Sequence, residues 1–490
     1  MLALNDISLP RIILPVHVPA YSRTDVTPAI VHIGVGGFHR AHQAWYLDQL
    51  LELPDQRNWG ICGVGVLPAD RRMDEVMAAQ DCLYTLNIRG ADGTSEPRVI
   101  GSIVEYLHAP RRPDDVISRM SDPATQIVTL TVTEGGYNTS DLTGEFDMSN
   151  PAITADLQPD AIPSTTFGLV IAALACRKEQ GLAPFTILSC DNIPDNGAVT
   201  RTAFTAFAQS YDPALGAWLE QHGAFPNSMV DRITPATTDE DIAFVRNQFG
   251  IDDAWPVVAE PFAQWVIEDR FVSGRPRLED VGAQLVGDVT PYEVMKLRLL
   301  NGGHQALCYF GYLAGYRWVH DVAQDPVFAK FLCRYMDTEA TRTLPAVPGI
   351  DLSDYKRTLI DRFTNAAVGD TITRLCANAS NRIPKFVLPV VWDQLRAGGD
   401  IACAAAIIAS WARYCEGIDE NGDPIDIADR LAQQLIPMAR RQRDDPTAFL
   451  GNRTVFGDLI DSSRFVDAYQ CALHSLYTRG ARATVAGLAG

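Results

Sequence analysis

A glycine-rich turn between a strand pattern and a helix pattern constrains the fold most. Residues 30–33 are apolar and β-forming, and Gly34, Gly36 and Gly37 follow them. From residue 40 to 52, apolar side chains recur at helical spacing. A strand, a tight glycine turn and a helix form the first unit of a dinucleotide-binding βαβ fold. The glycines let the backbone approach a pyrophosphate near the helix N-terminus.

The glycine turn alone leaves the function open. His39 stands at the third position of the fingerprint, where a glycine is usual, and similar turns occur in other α/β proteins. Asp70 follows a second predicted strand at 59–66. Its carboxylate could bind the adenosine ribose and favour NAD over NADP, or it could be a loop acid or a helix cap. Arg71 and Arg72 could instead hold a 2′-phosphate.

Composition narrows the class of protein. The chain has 490 residues, of which 47% are hydrophobic and 21% are charged, as expected for a globular enzyme. A net charge of −19 argues against nucleic acid and anionic membranes as partners. The longest apolar stretches are too short to span a membrane, and the N-terminus lacks the basic region of a signal peptide. Ten cysteines without a C-x-x-C pair predict free thiols and a cytoplasmic protein. The sequence has no zinc-ligand spacing, which argues against a zinc-dependent alcohol dehydrogenase.

The chain divides into two regions with different patterns of predicted secondary structure. Strand and helix patterns alternate up to about residue 285, with further strands predicted at 127–133, 184–190 and 257–260. Helical patterns dominate from residue 291 onward. The prediction is an α/β protein with an N-terminal Rossmann-like dinucleotide-binding domain, residues 1–285, and a mostly α-helical C-terminal domain, residues 286–490. The active site is expected in the cleft between the domains.

The residues around Lys296 carry the most chemistry. In a straight α-helix Lys296, His304 and Asn301 would lie at about 0°, 80° and 140° around the axis, so all three could face one cleft. Gly302 and Gly303 inside the helical pattern predict that a large group approaches the backbone. Alcohol oxidation by hydride transfer needs a base for the hydroxyl proton, and a lysine whose pKa is lowered can be that base. Alternatively, the lysine is solvated and the histidine packs in the core.

Together, five segments resemble the mannitol dehydrogenase family, the polyol-specific long-chain dehydrogenases. They run through nearly the whole chain in a compatible order. The segments are residues 34–43, 131–137, 189–197, 225–235 and the group Lys296, Asn301 and His304.

The resemblance implies a zinc-independent, NAD-dependent enzyme that is a monomer. It implies Lys296 as the general base, with Asn192 and Asn301 stabilising the oxyanion, and Glu293 as a proton relay. The implied substrate contacts are His304, Asp231, Arg374 and Arg382. The implied cofactor contacts are Gly34, Gly36, Gly37, Phe38, Arg40, Asp70 and Glu134.

The resemblance further implies interconversion of a polyol and a ketose, with D-mannitol and D-fructose as the first expectation. Fructuronate reduction and D-arabinitol oxidation are the alternatives within the family. Arg374 or Arg382 could bind the carboxylate of a uronate. A nucleotide-binding sensor without turnover is an alternative from a different class. The lysine and the two asparagines argue against it.

Overall fold

In a computed structural model of the chain, residues 1–13, 15–139 and 144–490 are described. They form two compact units, Met1–Val289 and Thr290–Gly490. The first unit contains a parallel sheet with flanking helices and the second is built almost entirely of helices. The predicted fold class is therefore confirmed. Within the described residues, no helix combines the length and apolar character needed to cross a membrane.

The first unit contains all the strands assigned among the described residues. The strands are β1 Leu2–Ala3, β2 Ile30–Ile33, β3 Ile61–Gly65, β4 Tyr84–Arg89, β5 Ser95–Ile100, β6 Ile103–His108, β7 Ile127–Leu130, β8 Thr186–Ser189, β9 Ser228–Asp231, β10 Ile251–Asp252, β11 Val257–Ala259, β12 Gln264–Glu268 and β13 Gln284–Val286. Its helices are α1 Gly37–Ala41, α2 Gln43–Leu50, α3 Arg71–Ala79, α4 Pro113–Ser121, α5 Pro151–Asp156, α6 Thr166–Glu179, α7 Asn196–Tyr211, α8 Pro213–His222 and α9 Asp239–Phe249.

The main sheet has five parallel strands in the order β6-β3-β2-β7-β8. Alternate residues of β2 enter two different cores, with Ile30 in one and Val31 in the other. This burial on both faces explains the apolar run that predicted the strand. The strand order reverses between β2 and β7, and such a switch point is where open α/β sheets bind ligands, beyond the carboxyl ends of the strands.

The helix predicted at 40–52 is two helices, α1 and α2, with a break at His42. The backbone there leaves the helical region, at φ −121° and ψ −86°. The Ala41 carbonyl accepts a hydrogen bond from Arg232 Nη1 at 2.7 Å. A His42 ring nitrogen lies 2.8 Å from the Gln264 carbonyl oxygen. Arg232 and Gln264 thus provide hydrogen-bond partners for the Ala41 carbonyl and the His42 ring at the break. Because these partners are distant in the sequence, helical periodicity does not predict them.

The second unit is an assembly of helices that pack on one another. They are α10 Thr290–Met295, α11 Gly302–Leu313, α12 Val319–Gln324, α13 Pro326–Arg334, α14 Leu352–Phe363, α15 Ile372–Cys376, α16 Ala379–Phe386, α17 Leu388–Ala397, α18 Ala402–Tyr414, α19 Ala432–Arg440, α20 Arg453–Phe456, α21 Ser463–Arg479 and α22 Ala481–Leu488. Two further segments are π-helical, Lys296–Asn301 and Tyr335–Ala340. The first joins α10 to α11 in one continuous helix.

Candidate functional site

The glycines of the turn after β2 have different reasons to be glycine. Gly34 has φ +99°, and a Cβ there would lie 2.2 Å from the Thr131 carbonyl oxygen, so the fold itself excludes a side chain. Among the described residues, a Cβ at Gly36 would lie within 4 Å of the Gly34 carbonyl alone, at 3.9 Å, and one at Gly37 of Thr234 alone, at 3.8 Å. The fold therefore leaves space beside these two glycines, as a dinucleotide pyrophosphate would require.

Two stacked histidines explain the broken glycine fingerprint. His32 on β2 and His39 on α1 stack with ring centroids 3.3 Å apart and 10° between planes. The His32 ring nitrogens contact the hydroxyls of Thr129 and Thr131 at 2.7 and 2.9 Å. Burial lowers the pKa of His32 to about 3 and that of His39 well below its ordinary value, so both rings are neutral at pH 7. The helix thus packs on the strand through two flat rings.

Arg40, predicted to contact the cofactor, lies under the turn. Its side chain is 1% exposed and donates to the carbonyls of Trp255 and Gly36. The guanidinium also lies over the rings of Tyr84 and Trp255, with its carbon 5.3 and 5.5 Å from the centroids. Arg40 is therefore buried beside the turn, and its contact with a cofactor stays a prediction. Phe38 remains partly exposed at the start of α1.

Asp70 caps a turn at the carboxyl end of β3. Its carboxylate accepts the Leu67 N–H at 2.8 Å, which caps the short turn before α3. The chain also folds back, so that a Cβ at Gly65 would lie 2.6 Å from the Asp70 Cβ. The acid is therefore at the carboxyl end of β3, although its sequence spacing from the glycine turn is longer than usual.

The two arginines after Asp70 have protein partners. Arg71 forms an exposed ion pair with Glu75, with Nε and Oε1 2.9 Å apart. The Arg72 guanidinium carbon lies 4.5 Å from the centroid of the Trp255 ring.

Asp191 is a site residue that sequence reasoning missed. It is 8% exposed and accepts hydrogen bonds from the N–H groups of Val132 and Thr133, both at 2.9 Å, and from the Tyr137 hydroxyl at 2.8 Å. Burial raises its pKa. Thr133 has φ +65°, a strained value for a β-branched residue. Asp191 thus fixes the loop that carries Glu134, and its place at a strand end was the available signal.

The predicted residues Asn192 and Asp231 lie at the ends of neighbouring segments. Asn192 is exposed just beyond β8, and Asp231, 4% exposed, is the last residue of β9. Asn196 connects these segments, because its amide donates to the carbonyls of Asp191 and Ser228 at 3.0 and 2.7 Å.

In the second unit, the helix that carries Lys296 contains a π turn. The Gly302 N–H donates to the carbonyls of Leu297 and Leu299, and the Leu297 bond spans five residues where an α-helix spans four. One extra residue in the turn rotates the following residues back by about 100°. Relative to Lys296, Asn301 moves from about 140° to about 40°, and His304 from about 80° to about −20°. The angles predicted for a straight α-helix were wrong, and the π turn gathers the three residues more tightly.

Bulky side chains approach both glycines after the π turn, as predicted. A Cβ at Gly302 would lie 2.6 Å from the Tyr335 hydroxyl, and one at Gly303 would lie 3.2 Å from Leu332 and 3.3 Å from Phe363. These glycines therefore accommodate protein side chains.

Two buried polar atoms, Asn301 Oδ1 and His304 Nε2, belong to the helix that carries Lys296. Lys296 is 6% and His304 5% exposed. Within the described part of the chain, Asn301 Oδ1 and His304 Nε2 are buried without a hydrogen-bond partner. Burial lowers the pKa of His304 to about 3, so its ring is neutral and packs against Phe363. Buried polar atoms normally have partners, so this pair fits a polar ligand.

Arg374 and Arg382 both use their guanidinium groups within the protein. Arg374 Nε and Nη2 bind the two carboxylate oxygens of Asp370 at 2.6 and 2.5 Å. Burial opposes ionisation of Asp370, but the Arg374 pair outweighs it and the net pKa shift is downward. Arg382 Nη1 donates to the carbonyls of Arg374 and Leu375 at 3.0 and 2.8 Å.

Glu293, half-buried in α10, lies nearly one turn before Lys296.

The predicted site residues are divided between the two units. The first unit holds the glycine turn, Asp70, Glu134, Asn192 and Asp231, and the second holds Glu293, Lys296, Asn301, His304, Arg374 and Arg382. All ten cysteines are free. Across residues 1–13, 15–139 and 144–490, no cluster of three or more His, Cys, Asp or Glu side chains could hold a metal ion.

Family models match nearly the whole chain. A model described as the mannitol dehydrogenase Rossmann domain matches residues 28–280, and the mannitol dehydrogenase C-terminal domain matches residues 288–477. Mannitol 2-dehydrogenase of Phaeosphaeria nodorum is 45% identical over 475 residues, which are 96% of this chain and 83% of that protein. The enzyme of the same name from Aspergillus fumigatus is 44% identical over 477 residues, or 96% and 95% of the two chains.

Two solved structures are similar over their full length. One is Pseudomonas fluorescens mannitol 2-dehydrogenase in a ternary complex with NAD and D-mannitol, with a TM-score of 0.91, 44% identity and 99% coverage of both chains. The other is a substrate-free D-sorbitol dehydrogenase, with a TM-score of 0.91, 37% identity and coverage of 99% of this chain and 100% of that one.

Proposed function

The chain belongs to the mannitol dehydrogenase family, and from that premise we propose that it interconverts D-mannitol and D-fructose with NAD. The observation that carries the proposal is the group of Lys296, Asn301 and His304 on one side of the helix. Two buried polar atoms of this group lack protein partners among the described residues and suit a polyhydroxylated ligand. When bound, NAD supplies the hydride acceptor in the oxidative direction.

The proposal gives each residue a role in alcohol oxidation. The C2–H bond of mannitol breaks as its hydride passes to the nicotinamide, and Lys296 takes the hydroxyl proton. The side-chain amides of Asn192 and Asn301 stabilise charge on the developing alkoxide oxygen. Asp231 and the neutral His304 hold neighbouring hydroxyls. Glu293 passes the proton from Lys296 to water, and the reverse steps reduce fructose.

The proposed cofactor site uses the open side of the glycine turn. Gly36 and Gly37 leave space for the pyrophosphate, and Gly34 allows the turn itself. Asp70 accepts hydrogen bonds from the adenosine ribose and repels a 2′-phosphate, which favours NAD over NADP. Phe38 and Glu134 are proposed to border the bound dinucleotide. Arg40 supports the turn from below, because it is buried against Trp255.

The charge pairing at Arg374 favours a neutral sugar over a uronate. Asp370 already occupies the Nε–Nη2 edge of this guanidinium, one of the two edges through which arginine binds a carboxylate in bidentate fashion. A second carboxylate at Arg374 would also be repelled by Asp370. This arrangement supports D-fructose over D-fructuronate as the substrate.

The test is reduction of candidate ketoses by NADH, with identification of the product. D-Fructose, D-fructuronate and D-xylulose are compared, and the polyol formed from fructose is identified by chromatography. We expect preference for fructose, with D-mannitol as its product. Formation of D-sorbitol would indicate the stereochemistry suggested by the D-sorbitol dehydrogenase relative. Preference for fructuronate or xylulose would contradict the proposal, and NADH binding without any turnover would favour a sensor.

We propose further that the protein is a monomer in a reducing, cytoplasmic compartment. Ten free cysteines support the reducing compartment. Sedimentation at the concentrations used for assays tests the monomer, and a species of twice the mass of 53.7 kDa would contradict it.

A further inference from the structure

The π turn changes which helix positions lie on the same side as Lys296. An uninterrupted α-helix would leave Asn301 about 140° away, on nearly the opposite side. The extra residue brings Asn301 to about 40° and His304 to about −20°. An α-helix is the default, so something must hold the wider turn.

Tyr335 contacts the helix at the place where the hydrogen bonding changes. Its hydroxyl would be 2.6 Å from a Cβ at Gly302 and lies 3.4 Å from the Arg298 carbonyl oxygen. That carbonyl is the one to which the Gly302 N–H would donate in an α-helix, but it donates to Leu297 and Leu299 instead. The Tyr335 contact is long for a hydrogen bond, so its polar contribution is weak and its steric fit is the larger part.

Tyr335 is itself held firmly. It is 0% exposed, and it begins the second π segment, Tyr335–Ala340. Glu339 of that segment accepts the N–H groups of Cys403 and Ala404 at 2.6 and 2.8 Å, which ties the segment to the start of α18. A rigid tyrosine therefore meets a glycine at the π turn, where a methyl group would not fit.

We propose that Tyr335 is a positioning residue: packed into the space left by Gly302, it holds the π turn that aligns Asn301 and His304 with Lys296. The inference rests on the proposed function, because it takes these three residues to be the catalytic and substrate-binding group. Tyr335 does not contact substrate in this scheme. It acts through the helix register.

The test is a double-variant cycle. Gly302→Ala places a methyl group against the Tyr335 hydroxyl, and we expect kcat for mannitol oxidation to fall about 100-fold. Tyr335→Phe alone should lower kcat by less, about threefold to tenfold. In Gly302→Ala/Tyr335→Phe the nearest ring carbons are 3.4 Å from the new methyl, an ordinary contact. The double variant should therefore recover at least about tenfold over Gly302→Ala.

Gly303→Ala is the matched control. Its methyl would press on Leu332 and Phe363 and not on the Tyr335 hydroxyl, so Tyr335→Phe should not rescue it. The pH dependence of oxidation separates positioning from simple loss of stability. The profile should shift in Gly302→Ala, where the surroundings of the base are altered, and return in the double variant. NADH affinity should be equal in all these proteins.

Crystal structures of the parent and the variants provide a second readout. The bond from the Gly302 N–H to the Leu297 carbonyl should persist in the parent and the double variant and be lost in Gly302→Ala. A double variant no more active than Gly302→Ala overturns the inference, as does a Gly302→Ala enzyme with kcat within about threefold of the parent. If Gly302→Ala does not fold, recovery of folded, active double variant supports the inference and its absence overturns it. A parent that fails to oxidise mannitol would reject the proposed function, whereas the crystallographic bond would still decide the role of Tyr335.

Discussion

At the scale of single residues, Lys296 is both buried and the proposed general base. A lysine is rarely buried unless its amine has a partner or a task, and this one is 6% exposed. Alcohol oxidation needs the amine neutral to accept a proton, and ketone reduction needs it charged to donate one. The proposed oxidation should therefore accelerate, and the reduction slow, as pH rises.

We predict that Lys296→Ala lowers kcat for mannitol oxidation by about 100-fold or more, because a positioned general base contributes roughly that much. NADH affinity should change little, since the proposed dinucleotide site belongs to the first unit. Steady-state kinetics and NADH fluorescence titration measure the two quantities. Lys330→Ala, at an exposed position of α13, is the matched control and should behave as the parent. An equal loss of NADH affinity and turnover would reject the assigned role.

Asp370 gives a prediction about substrate charge. Asp370→Asn removes the anion that occupies Arg374, so a substrate carboxylate could then bind there. We expect kcat/KM for D-fructuronate relative to D-fructose to rise about tenfold, the effect of about 1.4 kcal/mol. Asp354→Asn, which breaks an exposed pair with Arg357, should leave the ratio unchanged. If the ratio is unchanged in Asp370→Asn, Arg374 does not contact the end of the sugar where fructuronate carries its carboxylate.

At the scale of elements, periodicity predicted most of the fold and little of its local geometry. The strands at 30–33, 127–130 and 186–189 and the helical second unit followed from apolar patterns. The π turn did not, because Leu297, Leu299 and Leu300 make the segment apolar on several sides, so a shift of phase by one residue leaves no clear signal in the pattern. The break at His42 depends on Arg232, far away in the sequence. Such features are set by tertiary contacts, which residue order alone does not encode locally.

The candidate site was predictable in its residue types and not in its packing. Spacing and family resemblance predict Lys296, Asn301 and His304, but they do not indicate the π turn between them or the packing of Tyr335 beside it. The resemblance implies Arg40 as a cofactor contact, whereas its burial depends on Tyr84 and Trp255, which are distant in the sequence. Asp191 stands at a predicted strand end, but its three hydrogen-bond donors lie 54 to 59 residues earlier in the chain, so its sequence context does not indicate them.

Substitutions in the glycine turn should distinguish an effect on stability, at Gly34, from an effect on NADH binding, at Gly36. Gly34→Ala should destabilise the protein by at least about 2 kcal/mol, because its φ is positive and the Thr131 carbonyl is in the way. Gly36→Ala meets no such obstacle and should change stability by less than about 0.5 kcal/mol. It should nevertheless weaken NADH binding about tenfold or more, because the methyl occupies the proposed pyrophosphate space. Denaturant unfolding and NADH titration measure these effects, and unaltered NADH affinity in Gly36→Ala would remove the turn from the cofactor site.

At the scale of the whole molecule, buried ionisable groups make stability depend on pH in two directions. His32 and His304 have pKa values of about 3 when folded, against an ordinary 6.5. The unfolded chain binds more protons between these values, so their contribution to stability falls as pH falls from 6.5. Burial raises the pKa of Glu339 from 4.5 to about 7. The folded chain then binds the extra proton, so its contribution falls as pH rises through 7.

Single substitutions should therefore change the pH dependence of stability with opposite signs. His304→Gln removes a group that disfavours the folded state in acid, so the unfolding temperature should drop less than that of the parent between pH 7.5 and 5. Glu339→Gln removes a group that gains a proton in the folded state over the same interval, so its unfolding temperature should drop more than that of the parent. Thermal unfolding followed by circular dichroism at a series of pH values makes the comparison, with His474→Gln as a control on the surface of α21. Parallel curves for the parent, His304→Gln and Glu339→Gln would mean that neither group titrates differently in the folded and unfolded chains.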